Sequence, residues 1–566
     1  MIVSAISLWK KLNIDTPLCA SEWDIEERGG ATFSNLAYSG HAVADGSVRI
    51  FARFCRPTGK NKTPAILLLP DAGKPLDREL AQYFLDKGYA VLMPDYSGKM
   101  PTDTDSDFRT LYPPSLDYGN YVRARGLYDM ENLQAEQTTW VEWLYVALFS
   151  VKYLRSREDI GNIGVVGVRK GGDLAWQAML SPDIQCGVPI NAVGWHSFAD
   201  FAKFGDSVPR NLSDDTHRYI AGVEAQSYAS SVSCPVLMLC ALRDTTIDCD
   251  RAYDTYSRIG NTDGNALVYS STSGACIDPV ALNDLDLFLE KNLKGREIYI
   301  PATLNIGMQE VDGELEISVE CDEEGILEEV GIYYAEADTQ TKCAYRDWHH
   351  IYSVSGKTVK NGKITYKRLP FRGAKTAFAY AYAKFINGFT VTSKITAKRL
   401  SGYDSTAIKD RKVYSGKETD VFSVAEYKDY SIADIFLERE AVPKTTEGYG
   451  GIKGAFSVGG IKTYKISSPR YVPDENAFLE FDAYVPTDAE LYVTIEVGEV
   501  GQQAERYTCT SEVKGGGKWK RIILKSSDFK SETSNLPLKN FNEGRSLSFA
   551  CPDETVVFSV TNILWL

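Results

Sequence analysis

Gly167 and Gly171 flank Arg169 in the run Gly164-Val-Val-Gly-Val-Arg-Lys-Gly-Gly172. The run reads as a short buried strand turning sharply into a helix. Such a turn lifts its central side chain clear of the backbone, which is how a hydroxyl is presented for attack on a carbonyl. The central residue here is an arginine. A guanidinium stays protonated and carries only donors, so it cannot attack. The frame for nucleophilic catalysis is present and the nucleophile is not. A cation at a helix N-terminus also opposes the macrodipole, so a partly buried Arg169 needs a negative partner.

The elements that position this turn follow from hydrophobic patterning. Between residues 31 and 297, short apolar strands alternate with helical stretches. Val48 to Phe54, Ala65 to Leu69, Ala90 to Met93, Ile163 to Val166, Val188 to Val193, Val236 to Cys240 and Ala266 to Tyr269 are strand-like. Arg78 to Lys87, Trp140 to Arg155, Asp173 to Leu180 and Pro279 to Leu293 carry helical periodicity. Strands separated by helices predict a mostly parallel sheet covered on both faces. Residues 1–30 read as a lead-in, helical over Ser7 to Leu12 and then irregular. From 298 to 400 the pattern alternates with period two, as in Glu314-Leu-Glu-Ile-Ser-Val-Glu, which predicts a β-sandwich. Residues 401–420 are polar and turn-rich and read as a linker. Residues 421–566 are again all β.

The chain has 566 residues, too many for one core, with 44% hydrophobic and 24% charged content. A net charge of −14 with no long basic run excludes nucleic acid and anionic membranes as main partners. No apolar stretch approaches the roughly 20 residues of a membrane span. Ile2 to Leu8 is short and lacks a positive leader, so a signal peptide is not expected. The 11 cysteines show no Cys-x-x-Cys pair and no metal-ligand spacing. Reduced thiols, a cytoplasmic location, and no metal or cofactor are the expectations; a protein trimmed of a secretion signal would look the same. The oligomeric state is left open.

Residues 45–295 resemble the α/β-hydrolase superfamily, in particular acetyl xylan esterases, cephalosporin-C deacetylases and dienelactone-hydrolase-like proteins. The residues that carry the resemblance are Pro64-Ala-Ile-Leu-Leu-Leu-Pro-Asp-Ala-Gly73, Gly88-Tyr-Ala-Val-Leu-Met-Pro-Asp95, the turn at Arg169, and Cys234-Pro-Val-Leu-Met-Leu-Cys-Ala-Leu-Arg-Asp244. The resemblance implies an acid at Asp244 and a histidine within Ser270-Ser-Thr-Ser-Gly-Ala-Cys-Ile-Asp278. No histidine is there; the five stand at 41, 196, 217, 349 and 350. It also places Asp71 and Gly73 in the oxyanion loop, where a carboxylate opposes a developing oxyanion. Serine and histidine are both missing from their places. Removing either alone costs orders of magnitude.

Two fates for Arg169 follow. It forms an ion pair with Asp244, or with Lys170 and the helix N-terminus it receives an anion such as a uronate or other small carboxylate. His196 is the candidate displaced base, with Ser197 or Ser271 attacking; its plainer reading is a polar loop histidine. Cys276 is a candidate nucleophile, with an inert buried thiol as the plainer reading. Residues 100–137, rich in Tyr, Asp and Pro, suit a sugar or aromatic ligand, or a packed lid.

The block 298–400 loosely resembles immunoglobulin-like modules. Its adjacent His349 and His350 would point to opposite faces of a strand, which argues against a shared metal. The last block resembles a galactose-binding-type jelly roll of the carbohydrate-binding kind, with Trp519 and Trp565 as either sugar platforms or core. The reading is therefore an α/β-hydrolase fold plus two β-sandwich domains. The function expected is a catalytically dead binding or assembly protein linked to carbohydrate. The alternative is an esterase acting on acylated sugars through a displaced triad.

Overall fold

The structure, a computed structural model, describes residues 4–566 except 60–61, 75, 77, 100–107, 129, 131–132, 207–211, 262, 271–276, 278, 323–324, 403–408, 417–420, 425–444, 448–452, 499–503 and 554. Ser271 and Cys276 lie outside the described residues.

The N-terminal unit is an α/β-hydrolase-like domain built on one nine-stranded sheet. Its strands are β1 (Ser21–Arg28), β2 (Ala31–Val43), β3 (Gly46–Pro57), β4 (Thr63–Leu69), β5 (Ala90–Pro94), β6 (Ile160–Val168), β7 (Ile184–Ile190), β8 (Leu237–Ala241) and β9 (Ala266–Ser270). They lie in the order β1-β2-β3-β5-β4-β6-β7-β8-β9. From β5 to β9 every pairing is parallel, whereas β1, β2 and β3 join antiparallel.

Eight helices accompany the sheet among the described residues: α1 (Ala5–Trp9), α2 (Arg78–Asp86), α3 (Thr139–Arg155), α4 (Lys170–Ala178), α5 (Asp214–Gly222), α6 (Ala225–Tyr228), α7 (Ala252–Tyr256) and α8 (Pro279–Lys294). Strand β4 shows why both faces are covered. Ala65, Leu67 and Leu69 join the core under α3 and α4, while Ile66 and Leu68 join the core under α2 and α8. A near-continuous apolar run is what a strand buried on both sides requires.

The lead-in differs from expectation. Residues 21–28 are strand β1, paired with β2. The strand is Ser-Glu-Trp-Asp-Ile-Glu-Glu-Arg and mostly exposed, so it carries no clean apolar alternation to read. A charged outer strand also discourages pairing with other chains.

Four all-β sheets follow among the described residues. A three-stranded sheet (Asn305–Val311, Glu314–Glu320, Lys363–Arg368) faces a five-stranded one (His349–Ser355, Leu327–Ala337, Thr376–Phe385, Thr390–Thr392, Thr396–Arg399). Leu315, Ile317 and Val319 pack with Val330, Ile332 and Tyr334 in the core they share with α2 and α8. This middle unit covers the open edge of the large sheet. Thr392 Oγ1 donates to Leu267 O at 2.9 Å and accepts from Tyr269 N at 3.2 Å, so β9 leaves these backbone groups paired.

Two six-stranded antiparallel sheets make the C-terminal unit around Val413, Phe481, Val493, Phe549 and Trp565. Lys412–Tyr414 pairs with Val557–Trp565, so this part of the expected linker belongs to a sheet. Val413 and Tyr414 are fully buried, which holds the segment there. Trp565 is core, its Nε1 donating to Tyr471 O at 2.8 Å. Trp519 is half-buried against Tyr484.

Candidate functional site

Arg169 sits between β6 and α4 with φ 51° and ψ −116°. A non-glycine residue tolerates such a backbone only where its surroundings enforce it. The enforcement comes from close packing. A Cβ on Gly167 would lie 2.1 Å from Gly171 O, and one on Gly171 would lie 2.1 Å from Leu69 O. Strand and helix thus touch backbone to backbone, and the turn between them has no room to relax.

The Arg169 side chain reaches across the strand ends. Its Nε donates to Asp244 Oδ2 at 3.1 Å. Asp244, 1% exposed, accepts further bonds at Oδ1 from Thr246 N at 2.9 Å and Thr246 Oγ1 at 2.6 Å. These bonds fix the carboxylate on the arginine.

The loop after β4 makes the second arrangement. Asp71 Oδ1 accepts from Ala72 N at 2.9 Å and from Lys170 N at 3.3 Å. The amide following the elbow residue, with an amide from this loop, forms the oxyanion hole of an α/β-hydrolase. Here the Lys170 amide and the Ala72 amide of the loop hold a carboxylate of the same chain. Gly73, at φ 77°, completes the turn. The Lys170 ammonium stands 4.0 Å from Asp71 Oδ1 and 5.5 Å from the Tyr121 ring centre. Burial alone would lower its pKa, but Asp71 and the Tyr128 and Tyr121 hydroxyls outweigh burial and raise it.

His196 lies on the loop after β7, where its Nε2 is 2.8 Å from Asp173 Oδ2. Asp173 is in the first turn of α4, its N–H bonded to Arg169 O, so the histidine rests one turn from the elbow. Burial disfavours the imidazolium, yet Asp173 and then Glu224 more than offset it and raise the pKa. Ser197 N donates to Glu224 Oε1 at 2.7 Å, and Ser197 Oγ is buried without a hydrogen-bond partner. Tyr128 stands edge-on to the His196 ring at 6.2 Å.

The raised pKa carries a stability consequence. Protonated His196 is favoured in the folded chain, so its contribution is complete below the unfolded histidine value of about 6.5 and fades as pH climbs through the higher folded value. Chemical denaturation of wild type against His196→Asn should show a larger stability gap at about pH 6 than at about pH 9. An equal gap at both would show that Asp173 does not favour the protonated imidazole of His196.

The sequence singled out Arg169, Lys170, Asp71, Gly73, Asp244 and His196 but not Asp173, Tyr121, Tyr128 or Glu224. Asp173 follows Arg169 by four residues on a helix, a spacing that places the two one turn apart and could have flagged it. The tyrosines come from the 100–137 segment. Part of that segment is packed: Leu116 and Tyr118 are buried, and Trp143 Nε1 donates to Gly119 O at 2.8 Å. Tyr121 and Tyr128 keep exposed area beside Lys170.

The remaining histidines lie elsewhere. His41 stacks on Tyr145 and bonds Glu142, and His217 is on α5. His349 bonds Asp347, while His350 bonds Tyr382. Among the described residues no group of three or more His, Cys, Asp and Glu is placed to hold a metal ion, no cysteine is in a disulfide, and no helix is long and apolar enough to cross a membrane.

Residues 50–270 match the dienelactone hydrolase family. Solved structures similar to the chain include the acetyl xylan esterase from Paenibacillus sp. R4, at 17% identity over 51% of this chain and 92% of that one, TM-score 0.40. Acetyl xylan esterase 1 from Thermoanaerobacterium sp. JW/SL YS485 is 14% identical over 50% and 92%, TM-score 0.38. Est1E from Butyrivibrio proteoclasticus is 14% identical over 46% and 98%, TM-score 0.30. No curated protein matches the sequence.

Proposed function

We propose that this chain is a non-hydrolytic member of the α/β-hydrolase fold, a binding or assembly protein linked to carbohydrate. The observation that carries the reading is Asp71 Oδ1 on the amides of Ala72 and Lys170. A hole meant to collect developing negative charge already holds a full one, and a tetrahedral oxyanion would meet repulsion there. Arg169 supplies no nucleophile and engages Asp244, the acid that would orient a base. His196 spends Nε2 on Asp173, the nitrogen a triad histidine turns to its nucleophile.

The charges of the cleft indicate what it takes. Arg169, Lys170 and His196 face Asp244, Asp71 and Asp173 in three cation–carboxylate pairs. With each cation matched, the cleft offers little net attraction to a carboxylate ligand. Interleaved donors and acceptors beside Tyr121 and Tyr128 suit a neutral polyhydroxylated ligand. The all-β sheets that follow the N-terminal unit, whose sequences resemble immunoglobulin-like and galactose-binding-type modules, support the same reading.

Assays with p-nitrophenyl acetate and acetylated xylan should give no turnover above the uncatalysed rate for wild type or Arg169→Ser. The serine variant still lacks a base and keeps Asp71 in the hole. Turnover by wild type that disappears in His196→Ala would overturn the proposal in favour of a displaced-triad esterase. Hydrolysis by Arg169→Ser would show that a base is present, and would overturn the reading of Asp71 as blocking the hole.

A further inference from the structure

Trp195 stands at φ 63° and ψ 24°, a left-handed backbone that bulky side chains avoid. It follows Gly194, at φ 72°, and opens the single turn His196–Phe198 that carries His196 to Asp173. The backbone is tied on both sides. Trp195 N donates to Gln226 Oε1 at 3.1 Å, and Ser197 N donates to Glu224 Oε1 at 2.7 Å. A Cβ on Gly194 would lie 2.3 Å from the same Gln226 oxygen. A residue in so sparse a region persists only where its surroundings over-determine it, and such residues cluster at functional sites.

The indole supplies the rest of the restraint. Its Nε1 donates to Thr255 Oγ1 at 2.9 Å, and that hydroxyl donates to Val193 O at 2.6 Å. Two guanidinium groups stand over the ring, Arg258 at 4.9 Å and Arg251 at 5.4 Å from its centre. Arg251 is itself fixed. Its Nε donates to Asp248 Oδ2 at 3.0 Å, its Nη2 donates to Phe201 O at 3.1 Å, and its Cζ lies 5.3 Å from the Phe198 ring centre. It therefore grips residues 195–201 at three points, whereas Arg258 lies at the surface.

We propose that Arg251, assisted by Arg258, is a positioning residue of the cleft: the two cations hold the left-handed turn at Trp195 and so keep His196 on Asp173. The bonds to Gln226 and Glu224 fix backbone amides and leave the ring of residue 195 unrestrained. A cation over an indole is the strongest of the cation–aromatic pairs and gains when it is withdrawn from water. The Arg251 side chain is only 13% exposed. The inference rests on the cleft being the functional site, whatever ligand it takes.

The test is the titration of His196, followed in the full chain by NMR of histidine isotopically labelled at Cε1 and assigned by the signal missing from His196→Asn. Burial lowers the His196 pKa, Asp173 and then Glu224 outweigh burial and raise it, and Lys170 lowers it. Wild type should therefore titrate above 6.5. In Arg251→Leu the turn should relax, the imidazole should leave Asp173, and the pKa should fall to about 6.5, the value of a free histidine. Arg258→Leu, at an exposed position, should give a smaller fall without a folding penalty. Arg251→Lys keeps a cation over the indole and should stay near wild type. His41, His217, His349 and His350 should keep their titrations throughout. An unchanged His196 in both leucine variants overturns the proposal, and should Arg251→Leu not fold, Arg258→Leu decides. An equal fall in Arg251→Lys and Arg251→Leu also overturns it, because Arg251 would then act by packing alone. So does a shift of all five histidines together, the mark of general loosening. Esterase turnover by wild type would overturn the function proposed above and leave this result standing.

Discussion

Gly171→Ala should cost about 4 kcal/mol or more and leave little folded protein. The added methyl would lie 2.1 Å from Leu69 O and 2.3 Å from Pro70 O, both backbone atoms at the end of β4. No flexible side chain is there to swing aside, so α4 must move off the sheet. That movement would uncover Leu174, Ala175 and Trp176, all fully buried. It would also separate Lys170 N from Asp71. Gly161→Ala is the matched control: its nearest neighbour would be Thr63 O at 3.7 Å, and the expected change is within about 0.5 kcal/mol. Urea midpoints of the two variants make the comparison. Equal midpoints would mean that α4 does not approach the end of β4 as closely as described.

The same contacts explain what the sequence could disclose. Two glycines spaced around a central residue after an apolar strand report a backbone approach, and that requirement does not depend on which side chain stands between them. The elbow was therefore legible although an arginine stands at its centre. The strands from β4 to β9 were legible for a similar reason, since burial on both faces leaves apolar runs with little ambiguity. Strand β1 was not, because an exposed strand has no apolar face to betray it, and Lys412–Tyr414 was hidden inside a polar stretch. The pairing of charges in the cleft was beyond sequence reasoning in another way. Asp71 was suspect as a carboxylate in the oxyanion loop, but that its own oxygen would take both amides depends on loop geometry set by long-range packing. Asp173 and His196 lie in different crossovers, and only the parallel order of β6 and β7 brings them together.

Arg346→Ala should destabilise the chain by about 3–5 kcal/mol, the scale for breaking a buried pair. Arg346 and Asp250 are 0% and 2% exposed and share two bonds of 2.6 Å. The guanidinium also donates to Thr341 O and lies 3.6 Å over Phe378. Removing it strands a carboxylate in the interior and empties the space over that ring. The pair joins the loop after β8 to the middle unit, and beside it Arg243 donates to Ala344 O and Arg346 O at 2.9 and 2.5 Å. Arg243 is the neighbour of Asp244, so the contact that fixes the two units together also fixes the carboxylate held by Arg169. Hydrogen exchange in Arg346→Ala should therefore rise together at residues 240–256 and 339–348. A rise confined to 339–348 would show that the middle unit is dispensable to the cleft. Replacing both partners, Arg346→Met with Asp250→Leu, should recover most of the loss, because the penalty lies in the unpaired charge more than in the missing attraction.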